Sequence, residues 1–379
     1  MELKRMKKGV CCASLLVSFC LLTSIVSIAQ TPVSLPADKI AQLEKAISSL
    51  MSGRGIPAMS VAVTQGDQIR FQGGYGTADV ENYVPAKALT VYRIASTTKP
   101  LTAVAAMQLV EQGKLDLDLP IQRYFPAFPP KSSPITTRQL LAHTSGIRHY
   151  KSGEGERTDR FESLTAATAV FRDDPLDFEP GTKYGYTTFG YTLLGVVIEG
   201  ASGMRFEDYM RENIFKPAGM THTYVDDVFA IIPSRARGYR PRSYGVFNGE
   251  NRNASLMDSS YKVPGGGLAS TAEDLARFSI ALQNGKLLKP ATFAQMSVSQ
   301  KTRDGRETGY GYGWYIGVSE PPTADPTAIH HGGVQAGFTA HLVLWPKKNL
   351  SVVILTNLEG GGRLGLASLA SQMADIVLQ

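Results

Sequence analysis

Residues 101–110 read Leu-Thr-Ala-Val-Ala-Ala-Met-Gln-Leu-Val and carry no charged side chain. A helix apolar nearly all round is a buried helix. A second such stretch, 190–200, reads Gly-Tyr-Thr-Leu-Leu-Gly-Val-Val-Ile-Glu-Gly. Upstream, Ile40, Leu43, Ile47 and Leu50 recur at helical spacing over 38–51, and Gly53 and Gly55 end that helix. Residues 58–64 alternate like a half-buried strand, Gln65-Gly66-Asp67 turns, and 68–75 returns as a second strand. Farther on, 136–143 reads as a short helix ended by Ser145-Gly146, and 205–214 is amphipathic. Ser270-Thr271-Ala272-Glu273 reads as a capping box for a helix over 274–283. Strands are predicted over 310–317, 339–345 and 350–356, then a closing helix over 363–378; Lys347-Lys348-Asn349 turns between the last two strands. This order predicts an α+β fold. Both chain ends form one antiparallel sheet with flanking helices, and the middle is an all-helical insertion. Two polar stretches stand apart. Residues 148–172 read as a surface excursion. Residues 233–263, irregular and aromatic, are long for a loop without a function and are expected to shape a pocket.

Composition changes this picture mainly at the N-terminus. With 379 residues, 43% of them hydrophobic and 19% charged, the chain can bury a sizeable core. Lys4, Arg5, Lys7 and Lys8 precede an apolar run over 9–28, and Ser27-Ile28-Ala29 puts small residues before Gln30. That pattern predicts a secretory signal peptide over 1–29, one domain over 30–379, and a periplasmic or secreted location. An uncleaved anchor is the other reading, since about 20 apolar residues span a bilayer. Cys11, Cys12 and Cys20 all fall in this segment, so the rest of the chain has no disulfide, zinc thiolate or thiol nucleophile. The same segment holds half of the formal net charge of +6, and no basic stripe with interleaved aromatics remains to bind nucleic acid.

Directly before the 101–110 helix stands Ile94-Ala95-Ser96-Thr97-Thr98-Lys99-Pro100. The start of a buried helix presents unpaired N–H groups and the positive end of its dipole. Ser96 and Lys99, three residues apart, share a helical face. A lysine desolvated there loses proton affinity and can take a serine proton. The spacing alone fits a plain N-cap serine better than a nucleophile. Pro100 disfavours helical geometry at the residue before it, which predicts a tight or 3₁₀-like turn. A metal reading of His330-His331 fares poorly, because adjacent strand residues point to opposite faces and no carboxylate pair completes a site. No metal or cofactor is expected. His143 and His149 are read as structural, near the 145–146 turn. The run Tyr310-Gly-Tyr-Gly-Trp314 is read as core strand, with Tyr312 at the rim of the site as the alternative.

Several segments converge. Ser96-Thr97-Thr98-Lys99, Leu140-Leu-Ala-His-Thr-Ser-Gly146, Pro180-Gly-Thr-Lys-Tyr184, Tyr186-Thr187-Thr188 and His330-His331-Gly332-Gly333 follow one another at characteristic spacing. The chain thereby resembles the serine β-lactamase-like, penicillin-binding-protein superfamily over essentially its whole length past residue 30. The branch it is most similar to contains class C β-lactamases, esterases, D-aminopeptidases and mitochondrial serine β-lactamase-like proteins. Residues 114–120 and 135–150 especially resemble the last of these. The resemblance implies the β-lactamase/transpeptidase-like fold and an acyl-enzyme mechanism. Ser96 would be the nucleophile and Lys99 its base or proton relay. Tyr186, which alone reads as an aromatic in a turn, would share proton transfer as a phenolate, provided neighbouring cations lower its pKa.

Thr188 stands where many relatives carry Asn and offers one donor where the amide offers two. His330 matches the lysine of the usual Lys-Thr-Gly strand, His331 its threonine and Gly332 its glycine. A neutral imidazole at the first position supplies no fixed cation for a β-lactam carboxylate. The N–H groups of Ser96 and Gly333 would form the oxyanion hole, where one donor is worth ~10²–10³ in rate. The implied activity is an exported serine hydrolase acting on an ester, a peptide or D-amino-acid amide or, slowly, a β-lactam. Rival readings are a scaffold or ligand sensor of the same fold without turnover, and a periplasmic solute-binding protein. The expected partner is a small-molecule or peptide substrate; a membrane enters only if the N-terminal segment is retained.

Overall fold

The computed structural model describes residue 1 and residues 35–243, 245–318 and 325–379, so the expected leader lies outside the described residues. From residue 35 the chain opens with helix α1 (Ala37–Arg54), closed by Gly55 at φ 58, the left-handed geometry a helix end favours. Strands β1 (Ala58–Gln65) and β2 (Gln68–Asp79) make the predicted hairpin. β2 runs past its predicted end to pair with β3 (Val84–Pro85). After β4 (Tyr92–Arg93) come a 3₁₀ turn over Ala95–Thr97 and helix α2 (Thr98–Glu111). The helical middle holds α3 (Thr137–Leu141), α4 (Leu164–Ala167), α5 (Thr188–Ser202), α6 (Phe206–Met210) and, past a π-helical turn over Arg211–Phe215, α7 (Lys216–Ala218). Strands β5 (Tyr224–Val225), β6 (Tyr239–Pro241) and β7 (Asn251–Asn253), the one-turn α8 (Val263–Gly266) and β8 (Leu268–Ser270) lead to α9 (Ala272–Gln283) and α10 (Pro290–Met296). The chain finishes with β9 (Tyr315–Val318), β10 (Asp325–Gln335), β11 (Phe338–Trp345), β12 (Leu350–Thr356) and α11 (Leu366–Leu378).

Seven strands form one sheet in the order β3-β2-β1-β12-β11-β10-β9, antiparallel throughout. β1 and β12 pair from Met59↔Thr356 to Gln65↔Leu350, so the two ends of the chain close one sheet, as the order of elements predicts. Strand alternation divides the core between the two faces. Val353 and Leu355 of β12 pack with α2, α5 and α9, while Val352 and Ile354 pack with α1 and α11. The apolar α2 is buried from Thr98 to Met107, as its composition requires.

Three details differ from expectation. The capping box slips by one residue: Thr271 is the N-cap of α9, its hydroxyl accepting from the Asp274 N–H at 3.0 Å. The strand predicted over 310–317 shrinks to β9, because Gly313 turns the chain at φ 85 where a Cβ would lie 2.6 Å from the Ala103 Cβ. Residues 148–172 are not a detached excursion. Arg148 is 7% exposed and binds Glu154 and Asp174, each at 2.6 Å, which ties the segment down. Among the described residues no helix is long and apolar enough to cross a membrane.

Candidate active site

The Ser96 turn is held under strain. Ile94 N–H donates to Leu268 O of β8 at 3.0 Å, and Ala95 is forced to φ 48. A non-glycine residue there costs on the order of 1–3 kcal/mol and persists only when its surroundings insist. Ser96 then lines a cleft of about 320 Å³. Lys99, fully buried, places Nζ 3.1 Å from Ser96 Oγ, 3.3 Å from Thr188 Oγ1 and 2.6 Å from Gly265 O. Burial, and then the charge of Lys262, hold its pKa well below the usual lysine value. Nζ donates to all three oxygens. A lysine whose proton affinity is lowered by burial is a competent acceptor for the Ser96 proton.

Tyr186 reaches this pair from the loop before α5. Gly185 N–H donates to His143 O at 2.8 Å, and Thr187 N–H donates to His143 Nδ1 at 3.2 Å. His143, itself at φ 56, packs its ring 4.3 Å from that of Tyr186 between centroids. Lys99 Nζ lies 4.7 Å from the Tyr186 ring centroid, and the Tyr186 hydroxyl bonds the Ser96 side chain. The electrostatics run opposite to the sequence expectation. Burial pushes the Tyr186 phenol well above its usual range, outweighing the Ser96 hydrogen bond. Desolvation is the largest cause, and the nearby phenols of Tyr315, Tyr191 and Tyr150 push in the same direction.

The structure brings Ser96, Lys99, Tyr186 and Thr188 together and places the β10 residues differently. His331 turns towards Tyr186, with centroids 6.1 Å apart, whereas His330 stacks on Tyr315 and lies beside His341. None of His330, His331, Gly332 and Gly333 lines the cleft; Val334, Gln335 and Ala336 do. Gly333 still matters, since a Cβ on it would come 2.2 Å from Ile94 O and 3.0 Å from Ser96 N. Its amide points elsewhere. Gln335 pairs with Phe338 across a two-residue turn and Gly333 pairs with Ala340. Hydrogen-bonded pairs alternate along an antiparallel ladder. The Gly333 N–H therefore belongs to the ladder with β11, and the Val334 N–H faces the other edge, beyond where β9 pairs at His330↔Tyr315.

His149, Tyr150, Glu156, Lys262 and Glu359 also line the cleft. Sequence reasoning placed none of them there. Two hints existed: three of them lie in the polar 148–172 stretch and Lys262 closes the irregular 233–263 stretch. Tyr312 is no rim residue; it is fully buried and its hydroxyl accepts from Arg138.

A family model described as Beta-lactamase matches residues 43–371. The chain belongs to the β-lactamase family. The human mitochondrial serine β-lactamase-like protein LACTB is 34% identical over 302 residues, covering 61% of this chain and 54% of that protein. The chain thus spans about half the length of the curated relative it matches. Among solved structures, the octameric penicillin-binding protein homologue from Pyrococcus abyssi superposes with a TM-score of 0.73 at 26% identity, covering 89% of this chain and 77% of that one. D-amino acid amidase from Ochrobactrum anthropi SV3 superposes with a TM-score of 0.75 at 24% identity, covering 89% of this chain and 99% of that one, a likeness of fold. The β-lactamase-family fold accounts for the terminal sheet and the helical middle together.

Proposed function

We propose that this chain is an exported serine hydrolase that works through an acyl-enzyme on Ser96. The observation that carries the reading is the 3.1 Å approach of Ser96 Oγ to a buried Lys99 amine whose pKa is held well below the usual lysine value, at a cleft lined by Ser96. Lys99 takes the serine proton as Oγ attacks a carbonyl. The Tyr186 phenol, kept protonated by burial, stays a donor and hands a proton to the leaving group. The N–H groups of Ser96 and Val334, rather than Gly333, receive the oxyanion. His331 takes the place of the strand's first-position cation but works from behind Tyr186. Thr188 acts on Lys99 rather than anchoring an acyl amide. Substrates are esters or amides; the structural neighbours include a D-amino acid amidase and EstCE1, a hydrolase with promiscuous acyltransferase activity.

Labelling with a fluorophosphonate, read by intact mass, tests the mechanism. A single adduct is expected on the wild type and none on Ser96→Ala. No wild-type adduct, or an equal adduct on the variant, returns the chain to the reading of a scaffold without turnover. Export is tested separately, by finding the mature N-terminus near residue 30 in protein recovered outside the cytoplasm.

A further inference from the structure

Lys262 ends a 3₁₀ turn, lines the cleft that holds Ser96, and is only 4% exposed. A buried ammonium ordinarily has a carboxylate beside it, because taking a lone charge out of water is unfavourable. Among the described residues its amine has no hydrogen-bond acceptor and no ion-pair partner; it lies over the Tyr261 ring, 5.4 Å from the centroid.

The nearby acids are already matched. Asp226 binds Arg93 at 2.9 Å, Arg235, and the Ser259 hydroxyl at 2.7 Å. Glu156 binds Arg240 at 2.7 Å, and Glu359, also on the cleft, binds the same arginine at 2.9 Å. The remaining titratable groups that feel Lys262 are Arg93, Lys99 and His149, none of them anionic. Burial pushes the Lys262 amine down to about 7, with Asp226 and Glu156 pulling it up and Arg93 pressing it further down.

Nor does β10 supply a charge. His331 Nδ1 lies 2.7 Å from Gly332 O, and a carbonyl only accepts, so Nδ1 carries the proton. Nε2 then accepts from the Tyr310 hydroxyl at 3.1 Å. Both ring nitrogens are satisfied in the neutral form, and burial holds that form.

We propose that Lys262 binds a carboxylate on the substrate, making the enzyme selective for carboxylate-bearing esters or amides. This rests on the serine-hydrolase reading. The test compares matched nitrophenyl esters: hemisuccinate against butyrate, hemiglutarate against valerate, and 3-carboxy-4-nitrophenyl acetate against 4-nitrophenyl acetate. Wild type, Lys262→Gln and Lys262→Arg are assayed after each is checked by melting and by fluorophosphonate labelling. At pH 6 the wild type should favour the carboxylate member of at least one pair by about tenfold in kcat/KM, the worth of one charged hydrogen bond. That preference should shrink as pH rises through about 7, where the amine loses its proton. Lys262→Gln should bring the ratio to near one. Lys262→Arg should keep the preference and lose its pH dependence, because guanidinium stays charged.

Equal rates within every pair for the wild type, or a preference unchanged in Lys262→Gln, overturns the proposal. The wild-type comparison decides even if the glutamine variant does not fold. A wild type that labels on Ser96 yet shows no preference defeats this inference alone. A wild type that does not label defeats it together with the hydrolase reading.

Discussion

His330 and His331 are neighbours on β10, and their surroundings share almost nothing. His331 has both ring nitrogens bonded, to Gly332 O and to the Tyr310 hydroxyl, inside an aromatic cluster around Tyr186. Among the described residues His330 Nδ1 has no partner, and the ring lies against Tyr315 and His341. The next pair repeats the contrast. A Cβ on Gly333 would strike the Ser96 turn at 2.2 Å, whereas one on Gly332 meets nothing closer than 3.7 Å. One face of the strand is fitted to the Ser96 turn with its polar atoms committed; the other has slack. Contact with that turn thus falls on alternate residues of one strand, and a shift of one residue in register exchanges the two sets.

The contrast breaks most sharply at the glycines. Gly333→Ala should displace the Ser96 amide and slow fluorophosphonate labelling by ~10²–10³, the worth of an oxyanion donor. At the histidines, His331→Ala should lose about 1–3 kcal/mol in chemical denaturation, because it removes a buried ring together with its hydrogen bond to the Tyr310 hydroxyl. The His330→Ala change removes an imidazole with an unpartnered nitrogen and should cost under about 1 kcal/mol.

Acid sharpens the comparison further. Burial holds the His331 pKa well below its usual value and that of His341 at about 3. The unfolded chain takes up these protons first, near pH 6.5, so stability present above that pH is lost as pH falls towards about 3. The melting temperature should drop over that window, and less steeply in His341→Asn. Smallest of all, Gly332→Ala should leave the labelling rate within about threefold of wild type.

Much of this was legible in the sequence. The uncharged 101–110 stretch gave a buried helix, and the residues before it gave the Ser96–Lys99 pair, which needs only helical spacing. The apolar runs 58–64 and 350–356 marked two strands of the sheet, but β1 is buried on both faces and not half-buried as its alternation suggested, because helices cover each side. Register on β10 was not legible, because paired histidines followed by paired glycines look alike when shifted by one residue. Nor was the protonation of Tyr186, since spacing reveals which cations stand near and says nothing of how much water is lost. His149 and Glu156 lie in a stretch polar enough to read as surface, and Lys262 in one expected to shape a pocket; the ion pairs of Arg148 and Arg240 and the Tyr261 hydroxyl's bond to Gly155 O help fold these stretches over the cleft.

The partnership of β1 with β12 governs timing. A ribosome delivers Ser96 and Lys99 early, yet β1 lacks its inner neighbour until residue 356 has emerged. Val334 and its ladder on β11 arrive only shortly before. Pairings so distant along the chain form late and slowly. During synthesis Ser96 and Lys99 therefore wait on an unfinished sheet, and a message cut short before β12 would yield a chain that cannot close it.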